Sequence, residues 1–255
     1  MLGKSLFAVM ALAVAVWSQD LSGPKQVRPH KVRPPHEHRG FFFSAGTGVT
    51  YTDLDVVRRF SYSRWNFSVE RSLGYDEITR REFSGWTVPV MDFKIGKSIG
   101  NLVVVHSIFE LALFSGEMEY SYSEQYEKDV RVLGISLDKV NAEEKTLSTS
   151  AFSLAGGLGL MFYPFRSPSS ALNGFYFGIS GGMANFVCFG EDEDSGFDQV
   201  SAFTQYEIGK DWWVSETWSV GVGMAFSMHS VMESGDADDG GDRTSIKFLV
   251  RITRG

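Results

Sequence analysis

Cysteine is nearly absent. Cys188 stands alone in 255 residues, which rules out an internal disulfide framework. Proline is scarce beyond one short stretch: Pro24, Pro29, Pro34 and Pro35 leave only Pro89, Pro164 and Pro168 for the rest of the chain. Long apolar runs are missing too. The one run, Leu6 to Trp17, is shorter than the ~20 residues a helix needs to cross a bilayer, so any crossing by the remainder must use strands. No excess of basic residues exists; the formal charge of −7 excludes the electrostatic footprint of a nucleic-acid binder. No glycine-rich loop opens a helix, so a phosphate cradle is not indicated.

Glycine and aromatic residues are abundant, at 27 residues and 14%. Their placement has a period of two. Phe152, Leu154, Leu158, Leu160 and Phe162 alternate with Ser153, Ala155, Gly157, Gly159 and Met161. After a turn rich in Pro, Ser and Asn, Phe175, Phe177, Ile179 and Met183 are set against Gly178, Ser180, Gly182 and Ala184. A soluble sheet would wet a polar face. Here one face is bulky and apolar and the other too small for an ordinary solvated surface. Large residues toward lipid and small ones toward a narrow interior satisfy both halves of the pattern.

Residues 1–18, with Lys4 ahead of the apolar run and Val16 and Ser18 before a cleavage point, read as a secretory signal peptide. Residues 19–40 carry four prolines, five Lys or Arg and His30, His36 and His38, and read as a disordered basic tether whose loosely spaced histidines do not form a metal site. The barrel is expected over 41–255. Its eight strands are placed at 41–51, 87–97, 102–114, the two halves of the hairpin above, 200–210, 218–228 and 245–252. Long polar loops are expected at 52–86 and 115–148, with acidic loops around Glu191–Asp194 and Asp236–Asp239. Pro89, lacking a donor, is expected near a strand end.

The phase of the alternation sends Asp92, Lys94, His106, Glu110, Glu207, Lys247 and Arg251 into the interior. A carboxylate such as Glu110 in an apolar run would be costly in lipid. Three acids then face three bases, expected to pair and fill a plugged barrel. Tyr163, Trp212, Trp213 and Trp218 are expected as interfacial aromatics.

With Phe162-Tyr163-Pro164-Phe165, Gly174-Phe175-Tyr176-Phe177-Gly178 and Tyr206-Glu207-Ile208-Gly209-Lys210, the chain resembles the small eight-stranded outer-membrane barrels, the class of the OmpA transmembrane domain and OmpX. It departs from them in closing on Arg254-Gly255 rather than an aromatic residue. The resemblance implies an all-β, antiparallel, up-and-down transmembrane barrel in the outer membrane of a two-membrane bacterium, with the N-terminal arm and the C-terminus periplasmic. Implied partners are outer-membrane lipid and lipopolysaccharide, the barrel-assembly machinery, and an envelope polymer or surface ligand. No cofactor, metal or nucleic acid is implied.

The expected role is non-enzymatic: structural, or surface-binding through external loops. The alternatives are a narrow pore for small solutes, a lipid-modifying barrel enzyme using His229 and Ser230, and a soluble lipocalin-like barrel. Adjacent strand residues point to opposite faces, so His229-Ser230 and His106-Ser107 make poor base–nucleophile pairs. Asp236, Asp238 and Asp239 offer oxygen ligands for calcium, but their spacing is not that of an EF-hand.

Overall fold

The computed structural model describes residue 38 and residues 40–66, 71–130, 135–165, 167, 169–189, 197–232 and 238–255. The expected signal peptide and nearly all of the tether lie outside them. Eight strands form a closed ring: β1 (Gly40–Asn66), β2 (Arg71–Ile99), β3 (Val103–Val130), β4 (Ile135–Phe162), β5 (Phe175–Phe189), β6 (Phe197–Trp213), β7 (Trp218–Val231) and β8 (Asp238–Arg254). Every neighbouring pair is antiparallel, and β1 pairs with β8 from Phe43↔Arg254 to Arg59↔Asp238. Closure removes the sheet edges over the height of the ring.

At one end lie the β2–β3 and β6–β7 turns and a longer β4–β5 link, residues 163–174. Gly100 and Asn101 both adopt positive φ, at 62° and 53°, and Leu102 donates to the Ile99 carbonyl. Two such residues make the twisted two-residue hairpin that suits paired strands. The other end is uneven. β1 to β4 are 27, 29, 28 and 28 residues long, whereas β5 to β8 are 15, 17, 14 and 17. The segments expected as long loops are therefore mostly strand: β1 and β2 pair up to Asn66↔Arg71, and β3 and β4 up to Val130↔Ile135. The surplus of about a dozen residues, at ~3.3 Å each, raises a four-stranded wall on the order of 40 Å along the strands. Beyond Ser150↔Phe189, β4 loses β5 as a neighbour, so residues 135–149 form a free sheet edge among the described residues.

The loops were expected because the alternation changes character rather than stopping. Outward positions turn polar, through Asp53 and Asp55 on β1, Ser84, Glu82 and Arg80 on β2, and Ser115, Glu117 and Glu119 on β3, while Leu54, Val56, Phe83, Phe114 and Met118 continue inward. Pro89 lies in mid-strand, not near an end. The ladder absorbs it by a register break: Gly48↔Val90 is followed by Thr50↔Thr87 on the β1 side, and the β2–β3 pairing jumps between Ser84 and Val90. A residue with no N–H is accommodated where the ladder is already interrupted.

Candidate functional site: the filled interior and its ends

The inward positions stack in layers. At the short-turn end Phe42, Val104, Met161, Tyr163 and Tyr176 form one apolar cluster. Toward the wall a second cluster gathers Leu54, Val56, Phe83, Val90, Phe114, Met118, Phe186 and Leu249. Between them lies a polar network. Arg251 clasps Asp211 with two bonds, Nε to Oδ1 at 3.0 Å and Nη2 to Oδ2 at 2.8 Å, and gives a third from Nη1 to Glu207 Oε1 at 2.9 Å. Its guanidinium lies 3.8 Å from the centre of the Tyr176 ring, whose hydroxyl donates to Glu207 at 2.7 Å. The Tyr163 hydroxyl donates to Asp211 at 3.1 Å.

Lys94 joins the other oxygen of Glu207, at 2.9 Å, to Asp92 at 2.5 Å. One layer further, Lys247 holds Glu110 at 2.5 Å and the Gln205 carbonyl oxygen at 2.8 Å. Next to the upper apolar cluster, Arg243 bonds Ser153 Oγ at 3.2 Å and His229 Nδ1 at 2.7 Å, and lies 5.0 Å from the Phe186 ring centre.

All seven charged or imidazole residues expected inside are buried on the inner face: Asp92, Lys94, His106, Glu110, Glu207, Lys247 and Arg251. His106 stands across the ladder from Gly96 and Gly159. Asp211, Arg243 and His229 join them, which makes four carboxylates and four permanent cations. The in-phase spacing could have revealed two of these: Asp211 follows Glu207 and Gly209, and Arg243 precedes Ser245 and Lys247. Both fell just beyond the expected strand ends. Buried charges need this degree of pairing, since an isolated one costs several kcal/mol.

Glycine makes room for the network. A Cβ at Gly209 would overlap the Tyr176 hydroxyl, and one at Gly221 would overlap the Asp211 carboxylate.

The other positions named from the sequence separate. His229 faces inward and Ser230 outward, as do His106 and Ser107, so neither pair meets. Asp236 lies outside the described residues, while Asp238 and Asp239 belong to β8. Trp212 is exposed and Trp218 lies at the rim, with the Arg254 guanidinium 5.8 Å from its ring centre. Tyr163 and Trp213 do not stand at a lipid interface. Tyr163 continues the inward phase of Met161 and is 2% exposed; Trp213 is half-buried and donates from Nε1 to Asn173.

The outer surface carries an apolar band. On β3 it runs from Val103 to Leu113, within the about 9–11 residues a tilted strand needs to cross a bilayer. Around the ring it includes Ile95, Leu158, Leu160, Ile179, Val222, Met224, Phe226, Phe248 and Val250, all at least 40% exposed. Tyr51 packs on Trp86 at 5.4 Å near its upper limit, and Asp53, Glu82 and Glu117 follow above. The fold is that of a small outer-membrane β-barrel.

No family model and no curated protein matches the chain. Among solved structures it is similar to the outer membrane protein OprG from Pseudomonas aeruginosa, at 10% identity and a TM-score of 0.41, over 87% of this chain and 98% of that one. It is similar to Neisserial surface protein A at 10% identity and 0.32, over 81% and 98%, and to the outer membrane protease OmpT from Escherichia coli at 11% and 0.31, over 84% and 96%. Likeness at this level assigns no activity.

Proposed function

We propose that this barrel sits in an outer membrane as a closed, non-enzymatic body whose purpose is the wall it holds above the lipid, a surface for binding other molecules. The observation that carries the reading is the combination of a filled interior with four strands, β1 to β4, more than twice the length the bilayer requires. Paired charges between two apolar layers leave a permeating ion no obvious lane, which disfavours the narrow-pore alternative. The lipocalin-like alternative would need the apolar row inside and a wettable outside, the reverse of the band.

The wall, in contrast, offers two kinds of contact. Its outer face gathers Asp53, Asp55, Glu82, Glu117, Glu119 and Glu144, with Arg80 bridging Asp55 and Glu82. Among the described residues, its β4 border leaves main-chain donors and acceptors without a strand partner, the groups an added strand uses.

The test has two parts. Refolded protein in planar bilayers should show no steady conductance while running faster unheated than heated on a gel. A panel of surface peptides and glycans should bind the full-length barrel and not one with the wall removed. Sustained ion channels, or equal binding without the wall, would overturn the reading.

A further inference from the structure

His38 precedes β1, yet it is 1% exposed. Its ring lies 4.4 Å from that of Tyr163 and 4.6 Å from that of Trp213, with Phe42 edge-on at 5.8 Å. Both main-chain groups are held: the N–H donates to Asn101 Oδ1 at 2.8 Å, and the carbonyl accepts from Ser98 Oγ at 2.6 Å. Nε2 comes within 3.9 Å of Asp211 Oδ2, the carboxylate that Arg251 clasps. These partners come from β1, the β2–β3 turn, the segment after β4, and β6. A single residue thus touches four separate parts of the lower rim.

We propose that this rim is a docking socket for an imidazole side chain, and that His38 fills it in cis as a stopper that keeps water off the charged interior. The inference rests on the reading of the barrel as closed. The chemistry of the socket fits a flat ring with a polar edge. Two aromatic rings lie against the imidazole, and the Asp211 carboxylate stands 3.9 Å from Nε2, a charge contact outside hydrogen-bond reach. An aliphatic side chain could fill the volume but would set no polar group against Asp211. The two main-chain bonds fix the height of the ring in the mouth, so the contact is a built one rather than a tail resting on the rim. Without it, the Arg251–Asp211 clasp and the Tyr163 hydroxyl would lie next to the opening. A barrel filled by ion pairs has reason to keep that opening shut, because such pairs are strong only where water is excluded.

Ser219 provides a reporter. It is 0% exposed, stands on the inner face of β7, and pairs across the ladder with Trp213. The full chain carrying Cys188→Ser and Ser219→Cys would be folded in detergent micelles and treated with a charged, water-soluble thiol reagent. With His38 present the thiol should react at least tenfold more slowly than an exposed one. His38→Gly should raise the rate at least tenfold, and millimolar imidazole should restore protection. The unheated gel mobility confirms that each variant is folded. Equal rates with and without His38, or no effect of imidazole on the His38→Gly protein, would overturn the socket. Conductance of the protein with His38 in place separates the two ideas. Steady channels there would defeat the closed-barrel reading, whereas a silent barrel with His38-independent labelling would defeat the socket alone.

Discussion

Along β3, Val103, Val105 and Leu113 face outward while His106 and Glu110 face inward; further along the same strand Glu117 and Glu119 face outward while Phe114 and Met118 face inward. β1 and β2 change sides in the same way, at Tyr51 and Trp86. Below the change the strand obeys a membrane rule, with bulk outside and paired charge within. Above it the strand obeys the rule of a soluble sheet. Between β3 and β4 the hydrogen-bonded ladder runs unbroken through the change, whereas the β1–β2 and β2–β3 ladders shift register at its height, around Pro89. The lower region is held by charge pairing in a dry interior, and the upper one by apolar packing behind a wet face.

Five experiments would break or sharpen that contrast. The largest effect is expected from Glu207→Ala, which leaves Lys94 and Arg251 short of a partner inside the ring. A loss of about 4–5 kcal/mol is expected, measured as a lower urea midpoint for refolding into micelles. A loss below 1 kcal/mol would mean that water reaches the network. Phe186→Ala, in the upper apolar cluster, should cost about 3–4 kcal/mol by the same assay without opening a conducting path.

The third concerns pH. Burial holds the His38 imidazole down to about 4, with nearby Asp211 working the other way and Arg251 adding to the depression. A base whose pKa falls on docking binds fewer protons docked than free. Docking is therefore at full strength above the free value of about 6.5 and weakens as pH drops toward 4, by up to ~3 kcal/mol. The groups facing the ring are Asp211 and Trp213 of β6, Arg251 of β8 and Gly255 after it, Phe42 of β1, Ser98 of β2, Asn101 at the turn that follows, and Tyr163 after β4. Thiol protection at Ser219→Cys should fade over this window with His38 and stay level with His38→Phe.

Fourth, joining Val57 to Arg80 and Tyr120 to Lys145 through Asn-Gly turns removes most of the wall at paired positions. The remaining barrel should keep its heat-dependent gel shift with little change in its urea midpoint, since the cut spares the inward cluster of Leu54, Val56, Phe83 and Met118. Collapse of the shortened protein would show that the wall is structural to the ring. The smallest effect belongs to Arg80→Ala. Its Asp55 carboxyl is held below the usual carboxylate range chiefly by the hydrogen bond from Arg80. Both side chains are half exposed, so no measurable shift of the urea midpoint is expected.

The ring was legible because lipid imposes a severe constraint: an inward Lys247 and an outward Phe248 admit one phase only. The same phase locates the interior charges. It failed at the margins, where strands were ended too early and Asp211 and Arg243 were lost with the ends. The wall was illegible for a different reason. Its outward residues are as polar as those of a loop, and its strand character lies in the inward half alone, in Leu54, Val56, Phe83 and Met118. His38 gave no signal, since one of three loosely spaced histidines among prolines and basic residues has no period to belong to. Only the convergence of four rim segments gives it a place.

The free border of β4 has a consequence for crowding. Barrels inserted in one membrane all stand the same way up, so two β4 borders that meet must run parallel. Both borders offer the same edge, so the two copies are related by a two-fold axis along the strands, which turns equivalent side chains to opposite faces of the joint sheet. A strand of other sequence is free to run antiparallel to this border and meets no such constraint.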